Sequence, residues 1–310
     1  MSRSITPIFL FAPPGSGSTV TQRLLGAHER ICSLGESYLL LPLVYATRQR
    51  GLTAEYDHAH AWEGLTRFLD LLPDGERVYR QALHDFAQRL YDQAAEPGAS
   101  YFLEKTPRYG LIVEDIIELF PEAKFLFLWR NPLACAASTI TRWSNGKFNL
   151  HKPNNWRDLY LVMPNLTEAY RKHRDRACAL QYETLVNDPA QALRPVFDYL
   201  ELPFDAAMVE RFHEQPARGT GKGDPVAHSS TPLRTASLDK WKTTMANPLR
   251  KAWCRSYVRW LGPERISAMG YDADALLREV DALPNRLAYL GSDVGRVIRK
   301  GWPGPAFMSR

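Results

Sequence analysis

The sequence predicts a three-layer α/β/α fold in which helices cover both faces of a central parallel β-sheet. Two apolar runs, at residues 8–12 and 125–129, have the length and composition of buried strands, and a helical pattern follows each after a short polar turn. A strand–helix pair at residues 101–120 precedes the second run and forms a βαβ unit with it, which implies parallel strands and a right-handed crossover. Ligands of such sheets bind at the carboxyl ends of the strands, so the residues that follow each strand are the first candidates for a functional site.

The first strand runs into a loop of small residues that is typical of a phosphate-binding cradle. Because the helical pattern of residues 19–25 follows at once, the loop lies at a helix N-terminus, where unpaired N–H groups and the helix dipole attract an anion. Glycine lets the backbone approach the anion closely, and hydroxyl groups can donate to phosphate oxygens. The loop predicts a P-loop-like nucleotide-binding architecture with these candidate residues: Pro14, Gly15, Ser16, Gly17, Ser18 and Thr19.

The same loop lacks a residue that ATP-dependent enzymes need. The phosphate-binding loop of nucleotide triphosphatases reads G-x-x-x-x-G-K-[ST], and this chain has no lysine at that place. A P-loop small-molecule kinase, which would need that lysine, is one alternative function, and a non-catalytic nucleotide- or protein-binding module is another. Tight packing of a strand-to-helix turn is the purely structural explanation of the loop.

Basic residues follow the other predicted strands. Arg130 comes directly after the run at 125–129, Ser138 follows it eight residues later, and Lys105 ends the predicted strand that begins at Tyr101. A guanidinium can hold a phosphate through two parallel hydrogen bonds, and a serine hydroxyl can add another donor. We expect the loop, Arg130 and Lys105 to converge on one polyanion; the structural alternative for Arg130 is a surface arginine at the end of a strand.

In three places the chain resembles the sulfotransferases that use 3′-phosphoadenosine 5′-phosphosulfate (PAPS). Residues 14–25 resemble the family's 5′-phosphosulfate loop, residues 127–138 resemble its 3′-phosphate motif, and residues 181–189 resemble its Tyr-Glu-x-Leu segment, which adds Tyr182 to the candidate donor-binding residues. The resemblance extends in the family's order from residue 8 to about residue 270. It implies PAPS as the donor cosubstrate, transfer without a metal, and an acceptor hydroxyl on a sugar, a lipid, a natural product or a tyrosine.

Sulfuryl transfer resembles phosphoryl transfer, so catalysis consists mainly of positioning and charge stabilisation, with a base for the acceptor's proton. The position of Glu36 resembles that of the catalytic glutamate in bacterial and protein-tyrosine members of the family. We therefore expect Glu36 to be the general base, at the start of an apolar helix over residues 38–45. Helix capping is the structural alternative for this residue, and a histidine is the competing base.

The chain departs from the family at Gly15, which stands where most members have a lysine or an arginine. Lys105 lies in a Lys-Thr-Pro-Arg segment that resembles the Lys-x-Pro segment of carbohydrate and protein sulfotransferases. We expect Lys105 to supply the missing cation, with Arg23 as the weaker candidate. In the alternative interpretation Lys105 pairs with Glu104 at the surface, where such pairs contribute little to stability.

A lid over the donor is expected near the carboxyl end of the chain. Residues 219–237 are rich in Gly, Ser, Pro and Thr, and a basic-aromatic helix follows them. Similar chains end with a serine-containing loop and a Lys-Trp pair that contact the donor. This resemblance maps those roles onto Ser237, Lys240 and Trp241.

The 310 residues carry a net charge of +5 and have an ordinary hydrophobic content, which suits one sulfotransferase domain over residues 1–310. A helical insertion is expected at about residues 37–97, where it shapes the acceptor pocket, and the lid and tail are expected at about residues 219–310. The charge is modest and the basic clusters lack interleaved aromatic residues, so nucleic-acid binding is not expected.

Neither a membrane-spanning run nor a signal-peptide pattern is visible, so the sequence predicts a cytoplasmic protein. The segment Asp57-His58-Ala59-His60 lacks the spacing of a metal site and is interpreted as a polar loop or a helix start. The tail at residues 287–310 mixes basic and apolar residues and is expected to pack on the surface. Contact of this tail with an anionic membrane or a carrier partner stays open, as does a homodimer.

Overall fold

The computed structural model describes residues 4–212 and 235–308, and within these ranges a five-stranded β-sheet forms the centre of the fold. Its strands pair in the order β2-β3-β1-β4-β5, and all four pairings are parallel. Helices flank the sheet, which confirms the predicted α/β architecture. The strands are β1 (Thr6–Phe11), β2 (Ile31–Ser33), β3 (Tyr101–Glu104), β4 (Lys124–Trp129) and β5 (Ala177–Gln181).

One or more helices separate each pair of successive strands up to β5, and in the described residues only helices follow β5. Short 3₁₀ turns and one π-helical turn, Asp158–Val162, connect some of them. The α-helices are α1 (Ser18–Leu25), α2 (Leu40–Tyr45), α3 (His58–Asp70), α4 (Glu76–Ala94), α5 (Val113–Leu119), α6 (Pro132–Ser144), α7 (Pro153–Arg157), α8 (Met163–Lys172), α9 (Tyr182–Asn187), α10 (Pro189–Tyr199), α11 (Ala207–Arg211), α12 (Lys240–Thr244), α13 (Pro248–Ala268), α14 (Ala273–Ala282) and α15 (Leu290–Lys300).

The two central strands, β1 and β4, bury side chains on both of their faces, which is why their sequences are almost wholly apolar. Successive side chains of a strand point to opposite faces, so the phenylalanines join one apolar cluster and the aliphatic residues join another. This double burial fixes the carboxyl ends of both strands, from which the candidate loops start. The residues are Phe9, Phe11, Phe125 and Phe127 on one face, and Ile8, Leu10, Leu126 and Leu128 on the other.

Three helices, α2, α3 and α4, lie between β2 and β3. The Asp57 carboxylate accepts hydrogen bonds from the N–H groups of Ala59 and His60 and thereby caps α3. The histidine pair therefore starts a helix, which is one of the two interpretations that the sequence left open. None of the helices in the described residues is long and apolar enough to cross a membrane.

The structure corrects the predicted helix over residues 38–45, because α2 begins only at Leu40. Tyr38 has a φ of 56°, which is left-handed and interrupts any helix. The N–H of Leu40 donates to the Tyr109 hydroxyl at 3.1 Å, so a tertiary contact fixes the helix start. Glu36 accordingly lies in an irregular turn between β2 and α2 and not in the first turn of a helix.

Candidate active site

The loop after β1 forms a cradle whose backbone depends on two glycines. Gly15 and Gly17 have φ values of +84° and +95°, a left-handed conformation that residues with a Cβ rarely adopt. Gly17 is also the N-cap residue of α1. The positive end of that helix, which begins with the buried Ser18 and the half-buried Thr19, is therefore directed toward the loop.

Side chains from α6 and α9 lie against both glycines. A Cβ added to Gly17 would overlap the ring of Tyr182, which begins α9. A Cβ added to Gly15 would lie 3.0 Å from the Cβ and 3.1 Å from the Oγ of Ser138 on α6. The loop can pass this close to Tyr182 and Ser138 only because neither glycine has a side chain.

Arg130, the residue after β4, joins the loop to the segment that precedes α12. Its guanidinium donates to the carbonyl oxygen of Gly15 at 2.9 Å and to that of Ser237 at 3.0 Å. The same group stacks on the ring of Tyr182, with 4.4 Å between Cζ and the ring centroid. The hydroxyl of Tyr182 lies 3.1 Å from the Oγ of Ser237, so the three side chains form one connected wall beside the loop.

Two buried polar atoms of this cradle have no hydrogen-bond partner among the described residues: Ser16 Oγ and Arg130 Nε. Ser16 is fully buried, and Arg130 is 8 % exposed. Folded proteins rarely leave such donors unsatisfied, and an unsatisfied one costs about 1–3 kcal/mol. Both atoms are N–H or O–H donors beside a helix N-terminus, so the residues present fit a bound anion such as a phosphate or a sulfonate.

Lys105 and Glu36 form an ion pair at the carboxyl end of the neighbouring strand. Lys105 Nζ donates to Glu36 Oε1 at 2.7 Å, and the two side chains are 3 % and 25 % exposed. The Tyr38 hydroxyl donates to the other carboxylate oxygen of Glu36 at 3.4 Å. The alternative in which Lys105 pairs with Glu104 at the surface is wrong, because Lys105 is buried and its ion-pair partner is Glu36.

Sequence reasoning missed the role of Glu104, which is the last residue of β3 and is 2 % exposed. Its carboxylate accepts from Ser37 Oγ at 2.8 Å and from Thr106 Oγ1 at 3.0 Å. Burial raises the pKa of Glu104 from 4.5 to about 7, although both hydroxyl groups favour the ionised form. A signal for this residue was present, since a carboxylate at the end of a buried strand needs partners of its own.

The strand register brings the two groups of candidate residues to one edge of the sheet. Trp129 pairs with Gln181, so Arg130 and Tyr182 follow side by side; Phe9 pairs with Glu104, so Lys105 follows beside β1. The cradle therefore lies at the ends of β1, β4 and β5, and the Glu36–Lys105 pair lies at the end of β3. Across the part of the chain that the structure describes, no group of His, Cys, Asp and Glu residues is arranged to hold a metal ion.

Three other predicted residues have different surroundings. Lys240 is exposed, whereas the Trp241 indole is 3 % exposed and belongs to the apolar core. No hydrogen bond or ion pair within residues 4–212 and 235–308 joins either side chain to the loop. Arg23, the weaker candidate for the missing cation, stacks on Phe212 at 5.9 Å. Most of the predicted lid over residues 219–237, namely residues 219–234, lies outside the described residues.

Comparisons with known proteins agree on a family. The model of a family described as the sulfotransferase family matches residues 7–206. A protein-tyrosine sulfotransferase of Drosophila melanogaster is 27 % identical over 255 residues, which are 77 % of this chain and 48 % of that protein. The nodulation protein NoeE of Sinorhizobium fredii is 33 % identical over 151 residues, which are 46 % of this chain and 34 % of that protein. This chain thus spans about half the length of the first relative and about a third of the second.

Solved structures show the same fold. The sulfotransferase domain of the Synechococcus PCC 7002 olefin synthase superimposes with a TM-score of 0.52 at 25 % identity, covering 78 % of this chain and 90 % of that domain. The sulfotransferase domain of the curacin biosynthetic pathway superimposes with a TM-score of 0.55 at 22 % identity, covering 87 % of this chain and 99 % of that domain. Because the family model matches well over half of its residues, this chain belongs to the sulfotransferase family.

Proposed function

We propose that this protein transfers the sulfuryl group of PAPS to a hydroxyl acceptor, with Glu36 as the general base. The observation that carries the proposal is the cradle around Arg130, in which the guanidinium contacts a left-handed glycine loop and two buried donors, Ser16 Oγ and Arg130 Nε, have no partner among the described residues. Family membership and the Glu36–Lys105 pair support it. Membership of this family does not favour the two alternatives, a small-molecule kinase and a non-catalytic binding module.

PAPS carries two separate anionic groups, and the cradle offers two sets of donors. The loop residues Ser16, Ser18 and Thr19 at the start of α1 would hold the 5′-phosphosulfate. Arg130 and Ser138 would hold the 3′-phosphate, because Arg130, just before α6, and Ser138, in the middle of α6, both lie beside Gly15 of the loop. Pro14, Gly15 and Gly17 would shape the loop, and Tyr182 and Ser237 would keep Arg130 in place. For Lys240 and Trp241 the assignment rests on the resemblance alone.

The Glu36–Lys105 pair can supply both a base and a cation. An acceptor hydroxyl bound beside Glu36 would donate its proton to the Glu36 carboxylate. At the same time a bond would form between the acceptor oxygen and sulfur, and the bond from sulfur to the bridging phosphate oxygen would break. Lysine has three N–H donors, and one of them contacts Glu36, so Lys105 can also stabilise the charge that develops on the leaving oxygen. In this way Lys105 would supply the positive charge that most family members have at the position of Gly15.

The acceptor is proposed at the level of its reacting group. One relative is named as acting on protein tyrosine and another, from Mycobacterium tuberculosis, as an omega-hydroxy-beta-dihydromenaquinone-9 sulfotransferase. We infer that the helices between β2 and β3 shape the acceptor pocket, since α2 directly follows the turn that carries Glu36. Three probes cover the hydroxyl classes: a tyrosine-containing peptide, a long-chain primary alcohol and a sugar.

Calorimetric titration with adenosine 3′,5′-bisphosphate tests the donor site. We expect the wild-type protein to bind the bisphosphate and to prefer it to magnesium-ATP. Arg130→Ala should weaken that binding by about 100-fold, because a charge-assisted pair of hydrogen bonds contributes about 1.5–3 kcal/mol. The proposal fails if wild-type protein prefers magnesium-ATP or binds neither nucleotide.

Arg176→Ala is the matched control for this titration. Arg176 also stacks on an aromatic ring, Phe125 at 5.2 Å, and donates to a backbone carbonyl, but it lies just before β5, at the opposite end of the sheet. Bisphosphate affinity should stay within about twofold of wild type in this variant. Equal losses in both variants would mean that the effect of Arg130→Ala is a general loss of stability.

A further inference from the structure

A buried carboxylate, Glu104, lies under the turn that carries Glu36. Its two oxygens accept hydrogen bonds from different segments: Oε2 from Ser37 in the turn, and Oε1 from Thr106 just beyond β3. Burying a carboxylate in a protein is costly unless its oxygens are hydrogen-bonded. The presence of a carboxylate at this position therefore indicates a role that an apolar side chain could not perform. Among the described residues, no hydrogen bond or ion pair joins the Glu104 side chain to the donor cradle.

Hydrogen bonds spread from these two hydroxyl groups through the whole turn. Ser37 Oγ accepts from the N–H of Leu39 at 3.0 Å and lies 3.3 Å from the Tyr109 hydroxyl. Thr106 Oγ1 accepts from the N–H of Tyr38 at 3.4 Å. Three consecutive residues after Glu36 are thus tied, directly or through one hydroxyl, to the Glu104 carboxyl.

The turn needs this support because its backbone is strained. Tyr38 is a non-glycine residue with a φ of 56°, a conformation that costs about 1–3 kcal/mol and persists only where surrounding contacts hold it. The Tyr38 side chain is 45 % exposed and so contributes little packing of its own. Without Glu104, Ser37 and Thr106 would lose the acceptor that connects them, and the Glu36 carboxylate would lose its fixed place against Lys105.

We infer that Glu104 is a positioning residue, which orders the turn at residues 35–39 through Ser37 and Thr106 and thereby fixes the Glu36 carboxylate against Lys105. Its effect on catalysis rests on the proposed function, whereas its effect on the turn does not. Lys105 follows it in the chain, and the hydroxyl groups of Tyr91 and Tyr109 are the other titratable groups that face it. Because serine and threonine hydroxyls can either donate or accept, glutamine should replace Glu104 conservatively.

Hydrogen exchange tests the structural half of the inference without any assay of activity. In Glu104→Leu, the amides of Leu39 and Leu40 should exchange at least about tenfold faster than in wild type, while those of β4 keep their protection. Glu104→Gln should restore protection to within about twofold. Unchanged exchange at Leu39 and Leu40 in Glu104→Leu would overturn the inference.

Kinetics test the catalytic half. With the acceptor that wild-type protein sulfates, Glu104→Leu should lower kcat by about 10- to 100-fold, while KM for PAPS changes by less than about threefold, because only the base is misplaced. Glu104→Gln should recover most of kcat and remove any step in the pH profile near neutrality. A rise in KM for PAPS with unchanged kcat, or no rescue by glutamine, contradicts a positioning role.

Thr167→Val is the matched control for both experiments. Thr167 is fully buried, and its hydroxyl bonds only to backbone carbonyls of its own helix, α8. This variant should leave exchange at Leu39 and kcat unchanged. If wild-type protein does not bind adenosine 3′,5′-bisphosphate, the proposed function fails, and the exchange measurement still decides whether Glu104 orders the turn.

Discussion

The Glu36 carboxylate is shared between two donors of unequal strength. Lys105 Nζ lies 2.7 Å from one oxygen, and the Tyr38 hydroxyl lies 3.4 Å from the other. The longer and more exposed contact is the easier one to displace, so an acceptor hydroxyl would take the place of the Tyr38 hydroxyl and leave the lysine contact intact. The geometry therefore separates the two roles that we propose for this pair.

Replacing Glu36 should remove the base and leave the donor site whole. Glu36→Gln keeps the shape of the side chain but cannot accept a proton, so kcat should fall by about 10²–10⁴-fold. Bisphosphate affinity should change by less than about threefold, because the cradle lies at other strand ends. Product formation from PAPS and calorimetry measure the two quantities.

Glu63→Gln serves as the control for this variant, since Glu63 is exposed on α3 and its ion pair with Arg67 spans 3.9 Å. Its kcat should match that of wild type. A Glu36→Gln enzyme with undiminished kcat would assign the base to another residue, for which a histidine is the remaining candidate class.

At the scale of elements, the cradle depends on a strand-to-helix turn that a Cβ would disturb. Gly17→Ala should destabilise the protein by about 1–2 kcal/mol through its left-handed backbone, and its methyl group should also push the Tyr182 ring away from Arg130. We therefore expect a loss of bisphosphate affinity of at least about tenfold. Urea unfolding and calorimetry report the two effects separately.

Gly98→Ala separates backbone strain from the loss of the cradle. Gly98 has a φ of +91°, close to that of Gly17, but a Cβ there would meet nothing within 4 Å. The Gly98→Ala substitution should lower the free energy of unfolding by an amount similar to that for Gly17→Ala, and it should leave the bisphosphate affinity unchanged. If both variants bind the bisphosphate as wild type does, the contact between Gly17 and Tyr182 does not shape the donor site.

The sequence predicted best the strands whose side chains are buried on both faces of the sheet. The strands β1 and β4 are buried on both faces, so their apolar runs were unmistakable and their ends pointed to Arg130 and the glycine loop. Neither β2 nor β5 was expected: β2 is only three residues long, and most side chains of β5 are only partly buried. Short or half-buried strands carry too little pattern to be separated from loops.

The turn at residues 35–39 marks the second limit of sequence reasoning. An apolar pattern at residues 38–45 indicated one helix, but the left-handed Tyr38 and the bond from Leu40 N–H to Tyr109 delay its start. The partner in that bond lies 69 residues away in the chain, so local pattern could not reveal it. The partners of Glu104 could not be predicted for the same reason, because Ser37 lies 67 residues away in the chain.

For the molecule as a whole, strand order decides which residues meet. Because β1 lies between β3 and β4, the glycine loop is flanked by Lys105 on one side and Arg130 on the other, although 25 residues separate these two cations in the sequence. The anion cradle and the proposed base therefore share one edge of the sheet. A titratable group buried at that edge changes the free energy of unfolding of the whole protein as the pH changes.

The pH dependence of unfolding should report the buried Glu104 carboxyl. Its pKa is raised by burial from 4.5 to about 7, so between these pH values the native state holds a proton that the unfolded chain has lost. The stabilisation from this group is therefore fully present below pH 4.5 and is lost as the pH rises through 7. Between pH 4.5 and about pH 7 the free energy of unfolding of wild type should fall by about 3 kcal/mol relative to that of Glu104→Gln, because glutamine does not titrate. Urea unfolding of both proteins from about pH 4 to about pH 9 measures the difference. A difference that stays constant with pH would mean that the native pKa of Glu104 is not raised, because Ser37, Thr106 and the neighbouring Lys105 offset the effect of burial.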